Sequence, residues 1–228
     1  MLRKLLTAVG LGVAATSSVM ANPPYAPYAT DTANAIYNLL FCDDSTAFRA
    51  KPGEVPTPWQ AALFSTPPNV SAIEALASDA SQEGRIRYLA FARLRELGKT
   101  VSPKKLLGII IEVPLDAGLD ALAAFSEGGV RYVNQSGKLV VIEGVESFQP
   151  MVTRLFNVSE PVVSHIGPWN KPRLAPPKLG NVRLTFLVSD GLYFGEGPMS
   201  VMQREAIAGP IIHHATELLQ AVVATDQK

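Results

Sequence analysis

One cysteine, Cys42, occurs among 228 residues, so the chain cannot close a disulfide on itself. Cys42 falls near the end of an expected helix and beside Asp43 and Asp44, and these features disfavour a thiolate. It reads as a buried, inert thiol. Charge of neither sign predominates, with 20 basic against 20 acidic side chains, which leaves no electrostatic footprint for nucleic acid or anionic lipid. Histidine is scarce: His165, His213 and His214 are the whole supply. No G-x-S-x-G elbow, H-E-x-x-H pair or Walker glycine spacing is present, and no 20- to 50-residue repeat. The complete acyl-transfer, zinc-protease and phosphate-loop signatures are thereby missing.

What is present begins with an export signal. Arg3 and Lys4, an apolar run from Leu5 to Thr16, and Val19-Met20-Ala21 follow one another in the order a secretory leader requires, placing cleavage before Asn22. The apolar run is shorter than the ~20 residues of a bilayer span. Removing Arg3 and Lys4 leaves 18 basic against 20 acidic groups, still close to neutral. Residues 22–30, with three prolines, read as an extended mobile leader, and residues 31–228 as one domain.

Within that domain residues 31–100 read as helical. Asp31 or Thr32 is the expected cap of a helix reaching Cys42, Thr57-Pro58-Trp59-Gln60 and Ser71-Ala72-Ile73-Glu74 are capping boxes, and Gln82 to Leu97 is a helix stopped by Gly98. Residues 105–228 carry the strands. Four short apolar runs from Leu106, Leu119, Val130 and Leu139, separated by Gly- and Ser-containing turns, predict a meander. The first two are apolar at nearly every position except Glu112 and Asp120, which predicts central strands covered on both faces. A helix over Val145 to Ile166 that Pro161 is expected to kink or restart, a proline-rich loop from Gly167 to Gly180, a hairpin over Val182 to Phe194, a third box at Ser200-Val201-Met202-Gln203 and a long terminal helix complete the chain. In the hairpin, Val182, Leu184, Phe186 and Val188 alternate with Arg183 and Thr185, predicting a sheet with one wetter face.

The class is α+β: an antiparallel sheet of about six strands (meander of four, helix, hairpin, helix) with N-terminal helices packed on it. From Lys105 onward the order of strands and helices resembles profilin-like or longin-like scaffolds with one strand more. That resemblance, at the level of fold, implies binding of proteins, peptides or small ligands.

Two constellations are candidates for function. The stiff loop carrying Trp169 and Arg173, together with Tyr193 and Glu196 of the glycine-flanked hairpin end, suits recognition at low ordering cost. His213, His214 and Glu217 have i,i+3 and i,i+4 spacing on the terminal helix and offer metal ligands. Adjacent histidines lie about 100° apart, which argues against both serving one ion. The chain is accordingly read as an exported binding or protein-interaction module, periplasmic or secreted. Its expected partner is a protein or peptide, with no cofactor, no nucleic acid and no stable membrane anchor after leader removal. The alternatives are a hydrolase or metal-dependent enzyme using the histidines, and an envelope assembly or folding accessory that takes extended peptide at a sheet edge.

Overall fold

The computed structural model describes residues 25–226; the expected export signal lies outside them. Four helices come first: α1 (Asp31–Leu39), α2 (Pro58–Leu63), α3 (Val70–Ser78) and α4 (Gly84–Glu96). The meander is β1 (Leu106–Leu115), β2 (Gly118–Phe125), β3 (Val130–Val133) and β4 (Leu139–Ile142). Then come α5 (Gln149–His165), the hairpin β5 (Asn181–Val188) and β6 (Gly191–Pro198), the single turn α6 (Met199–Met202) and α7 (Ala208–Asp226). The six strands form one antiparallel sheet in the order β4-β3-β2-β1-β5-β6. The α+β class and the central position of β1 and β2 are as the apolar runs implied.

Both faces are covered because β1 and β2 have no polar side to show. On one face Leu107, Ile110, Ala121, Ala123 and Phe125 pack against Tyr37 and Phe41 of the α1 region, Ile73 of α3 and Leu89 of α4. On the other, Ile109, Ile111, Leu122, Ala124 and Phe186 pack against Leu155 and Val163 of α5 and Ile211, Leu218 and Val222 of α7. Small residues set how closely the layers approach. Gly84, at the start of α4, sits so tightly on β1 that a Cβ there would lie 2.1 Å from the Leu107 carbonyl oxygen. Its N–H is held by Glu127 Oε2 at 2.7 Å.

Several local expectations are corrected. Thr30, not Asp31 or Thr32, caps α1 by accepting the Ala33 N–H, and α1 ends at Leu39. The Thr57–Gln60 box forms, whereas α3 is capped two residues before Ser71, by Asn69, an equally good acceptor. No box forms at Ser200, because β6 runs into α6 at Met199 before that serine is reached. α5 continues through Pro161, which lies on an exposed position. The leader is tied down from Tyr25 onward. Tyr25 N–H donates to Asn38 Oδ1 at 3.0 Å, and the Tyr28 ring is buried against Tyr37. The face of β5 that carries Arg183 and Thr185 is not wet; both residues are buried. Among the described residues no helix is long and apolar enough to cross a membrane.

Gly84→Ala is expected to cost about 1–3 kcal/mol, since the clash is with main chain rather than a movable side-chain tip. Gly108→Ala meets only the Phe125 ring and a Leu187 methyl, at 2.9 and 3.1 Å, and should cost less. Urea unfolding of both variants checks the order.

Candidate functional site

The register of the sheet sets Glu112 of β1 opposite Arg183 of β5, and Arg183 opposite Glu196 of β6. Because side chains alternate across a strand, the three project from one face as a lateral row of charge, the face on which α1 lies. Glu112 has no exposure and Arg183 only 4%. Tyr37 of α1 donates its hydroxyl to Glu112 Oε1 at 2.6 Å. Arg183 Nη1 stands 3.7 Å from Glu112 Oε2, an oxygen with no hydrogen-bond partner. Arg183 grips Glu196 Oε2 through Nε (2.9 Å) and Nη2 (2.5 Å), and Asn181 Nδ2 donates to Glu196 Oε1 at 3.0 Å. Burial pushes the Glu112 carboxyl up, and the Tyr37 hydroxyl and the guanidiniums of Arg183 and Arg173 do not cancel it. At Glu196 burial also acts upward, but hydrogen bonds from Asn181 and Arg183 outweigh it and hold the carboxyl below its ordinary value.

The loop from Gly167 to Gly180 closes over this row as a strap. Its prolines keep it extended, and three contacts fix its path. Trp169 N–H donates to the Leu192 carbonyl of β6 at 2.7 Å, and its ring meets Phe194 edge to face at 5.0 Å. The Leu174 carbonyl accepts from Arg183 Nη1 at 3.3 Å. Between them Arg173 turns inward, its guanidinium 3.9 Å from the Phe41 ring centre, 4.9 Å from Tyr25 and 5.4 Å from Tyr37. Nε donates to Asp43 Oδ2 at 2.7 Å and Nη2 to Asn38 Oδ1 at 2.8 Å. Expected as a contact residue, Arg173 is instead a buried latch between strap and α1; a desolvated guanidinium needs both the aromatic faces and the acceptors. A groove of about 460 Å³ runs outside the latch, lined by Tyr25, Asn34, Asn38, Asp43 and Asp44 among others.

Tyr193 is likewise no surface residue. It points to the opposite face, is fully buried, and donates to Asp190 Oδ2 at 3.0 Å. Trp169 is half-buried, and Glu196 is occupied by Arg183 and Asn181. What remains open is main chain. Since the Leu192 carbonyl points off the edge to Trp169, the period of two puts the N–H and C=O of Phe194 and Glu196 on that edge too. Neither residue has a main-chain partner there among the described residues. Glu196 accordingly counts as exposed although its side chain keeps only 22% exposure. The far edge, β4, is also open at Leu139 and Val141, but it is four residues long and lies between Lys138 and Glu143.

On α7, His213, His214 and Glu217 converge. Taking His213 as zero on the helical wheel, His214 lies at 100° and Glu217 at about 40°, between them. His213 Nε2 is 3.5 Å from Glu217 Oε1, and His214 Nδ1 is 2.8 Å from Glu217 Oε2. The three donor atoms all lie within 4.8 Å of one another. The expectation that the two histidines point too far apart to share an ion is thereby corrected: both lean towards the carboxylate between them. His165 takes no part; it is exposed at the end of α5, its Nδ1 2.6 Å from the Pro161 carbonyl of its own helix.

Compared with known proteins, the chain matches no family model, no curated protein and no solved structure. Sequence reasoning missed Tyr37, Asn38 and Asp43 as partners of the strap. The available signal was the pair of charges, Glu112 and Arg183, inside otherwise apolar strands, since a buried charge requires a partner.

Two outcomes follow from the network. The folded protein keeps the proton on Glu112 above the pH at which an unfolded glutamate, with its ordinary value of 4.5, releases it. The native state therefore binds more protons in that window, and stability falls as pH rises from 4.5 towards the raised value. Glu112→Gln retains an acceptor for Tyr37 and should abolish that fall. Urea midpoints of both proteins measured across the window test this; a difference independent of pH counts against it. Arg173→Ala strands Asn38 and Asp43 and should cost about 3 kcal/mol, the low end for a broken buried pair because Asp43 keeps some solvent. Protease cleavage within residues 167–180 should rise with it.

Proposed function

We propose that the chain is an exported, non-catalytic binding protein that takes up an extended segment of another protein along the outer edge of β6. The observation that carries this reading is the unpaired main chain of Phe194 and Glu196. An added strand would satisfy those groups, with main-chain hydrogen bonds supplying affinity and alternate side chains supplying selectivity. The edge is bordered by an apolar wall, the Trp169–Phe194 pair, with Lys171 Nζ 5.2 Å over the indole. A segment with an apolar side chain against that wall fits best.

Two further features favour a binding role over hydrolysis. Most polar atoms of the buried row are engaged within it: Tyr37 donates to Glu112 Oε1, and Arg183 and Asn181 hold Glu196. The strap is pinned before any partner arrives, so its aromatic wall is preorganised and little ordering cost falls on binding. The β4 edge is the less suitable dock, being short and flanked by charge, a common device against unwanted strand addition.

The test is selection of extended peptides from a random displayed library against the full chain, followed by affinity measurement on variants. Trp169→Ala should weaken a selected peptide about tenfold. Phe194→Pro, which removes both an outward N–H and the ring that faces Trp169, should do so as well, whereas Val141→Pro on the far edge should not. The Phe194 and Glu196 amides should gain protection from hydrogen exchange on binding. Peptides indifferent to both β6 variants, or no selected peptide at all, would overturn the assignment.

A further inference from the structure

We propose that His213, His214 and Glu217 form a three-ligand site for a divalent transition-metal ion of the zinc type on the outer face of α7. The site is independent of the β6 edge. Two imidazoles and one carboxylate are the donors that zinc, nickel and copper prefer, whereas magnesium and calcium select all-oxygen sets. Zinc bonds of 2.0–2.1 Å place tetrahedral ligands about 3.4 Å apart. The two His–Glu separations, 3.5 and 2.8 Å, are close to that figure, although they reach different oxygens of Glu217, Oε1 and Oε2. One donor atom from each residue already lies within 4.8 Å of the other two, so small turns of the imidazoles and the carboxylate bring the set to bonding separation.

The scaffold permits that adjustment without moving the main chain. Ile211, Ile212, Ala215 and Leu218 of the same helix are buried against the sheet layer, so the three ligand positions are carried on a fixed backbone. The side chains themselves are free to turn, His213 being 69% exposed and Glu217 41%. His214 is the more constrained, at 23%, and is oriented by its bond to Glu217.

Three protein ligands leave a coordination position open to solvent, as in zinc sites that bind an exogenous group rather than closed structural ones. A dication with one carboxylate keeps one positive charge, and Arg154 also acts on Glu217 electrostatically. The open position therefore favours an anionic ligand, such as a carboxylate or phosphate oxygen, over a neutral one. Cys42 is buried away from solvent and does not compete for the ion.

The experiment is calorimetric titration of the untagged full chain with Zn²⁺, and optical titration with Co²⁺, with Mg²⁺ as control. One equivalent of Zn²⁺ should bind, Co²⁺ should develop the intense visible absorption of a four-coordinate ion, and Mg²⁺ should be silent. Glu217→Gln and His213→Ala should each weaken Zn²⁺ by at least tenfold, while His165→Ala leaves it unchanged. All three positions are on the outside of α7 or α5, so far-ultraviolet circular dichroism should match the parent. Absence of a stoichiometric site in the parent, or equal affinity in the His213→Ala/His214→Ala/Glu217→Gln variant, would overturn the proposal.

Discussion

A carboxyl group with no exposure in the middle of an apolar strand is the constraint from which much of this molecule follows. Glu112 cannot be buried alone, so Tyr37 must reach it from α1 and Arg183 must stand opposite it on β5. Arg183 in turn needs Glu196 on β6 and the Leu174 carbonyl of the strap. The strap then lies where Arg173 can enter the box of Tyr25, Tyr37 and Phe41. Four separated parts of the chain are thus bound into one polar seam. Such a seam adds little net stability compared with an apolar core, because desolvation opposes the pairing. Its stronger effect is on register. Sliding β5 by one residue would carry Arg183 to the opposite, predominantly apolar face and leave Glu112 without a counter-charge.

The seam also decides what the surface offers. With Arg173 turned inward and Tyr193 on the far face, the polar residues of the hairpin are spent on internal contacts. The unspent groups are main-chain ones on β6, beside an indole held in place by the strap. α7 divides in a different way. Its inner residues complete the second core, and its outer residues are free of packing duties, so three ligating side chains can gather there at no cost to the fold.

Element types were legible because their causes are local. The four apolar runs and three turns of residues 106–142 became β1 to β4, and the near-continuous apolarity of β1 and β2 implied helices on both faces. Cap positions were legible only in part. Thr57 and Gln60 form their box, yet Asn69 displaced Ser71, since several acceptors in a row compete and the incoming chain chooses among them. Glu112 was visible as an exception to apolarity and Arg183 as part of a polar alternation, but not as partners, because 70 residues of chain intervene.

By itself, the sequence determined the strands, the turns, the helices and the i,i+3 and i,i+4 spacing of His213, His214 and Glu217, all of which are local to a single strand, turn or helix. The 100° step of the helix sets Glu217 between the two histidines, and the structure shows that both lean towards it. Only the tertiary structure decided that Arg173 is buried, that Tyr193 faces the core, and that the edge of β6 rather than its side chains is left open. Those outcomes depend on cross-strand register and on the path of the strap. Both are set by burial and charge pairing between segments distant in the chain, where no local pattern records the partner.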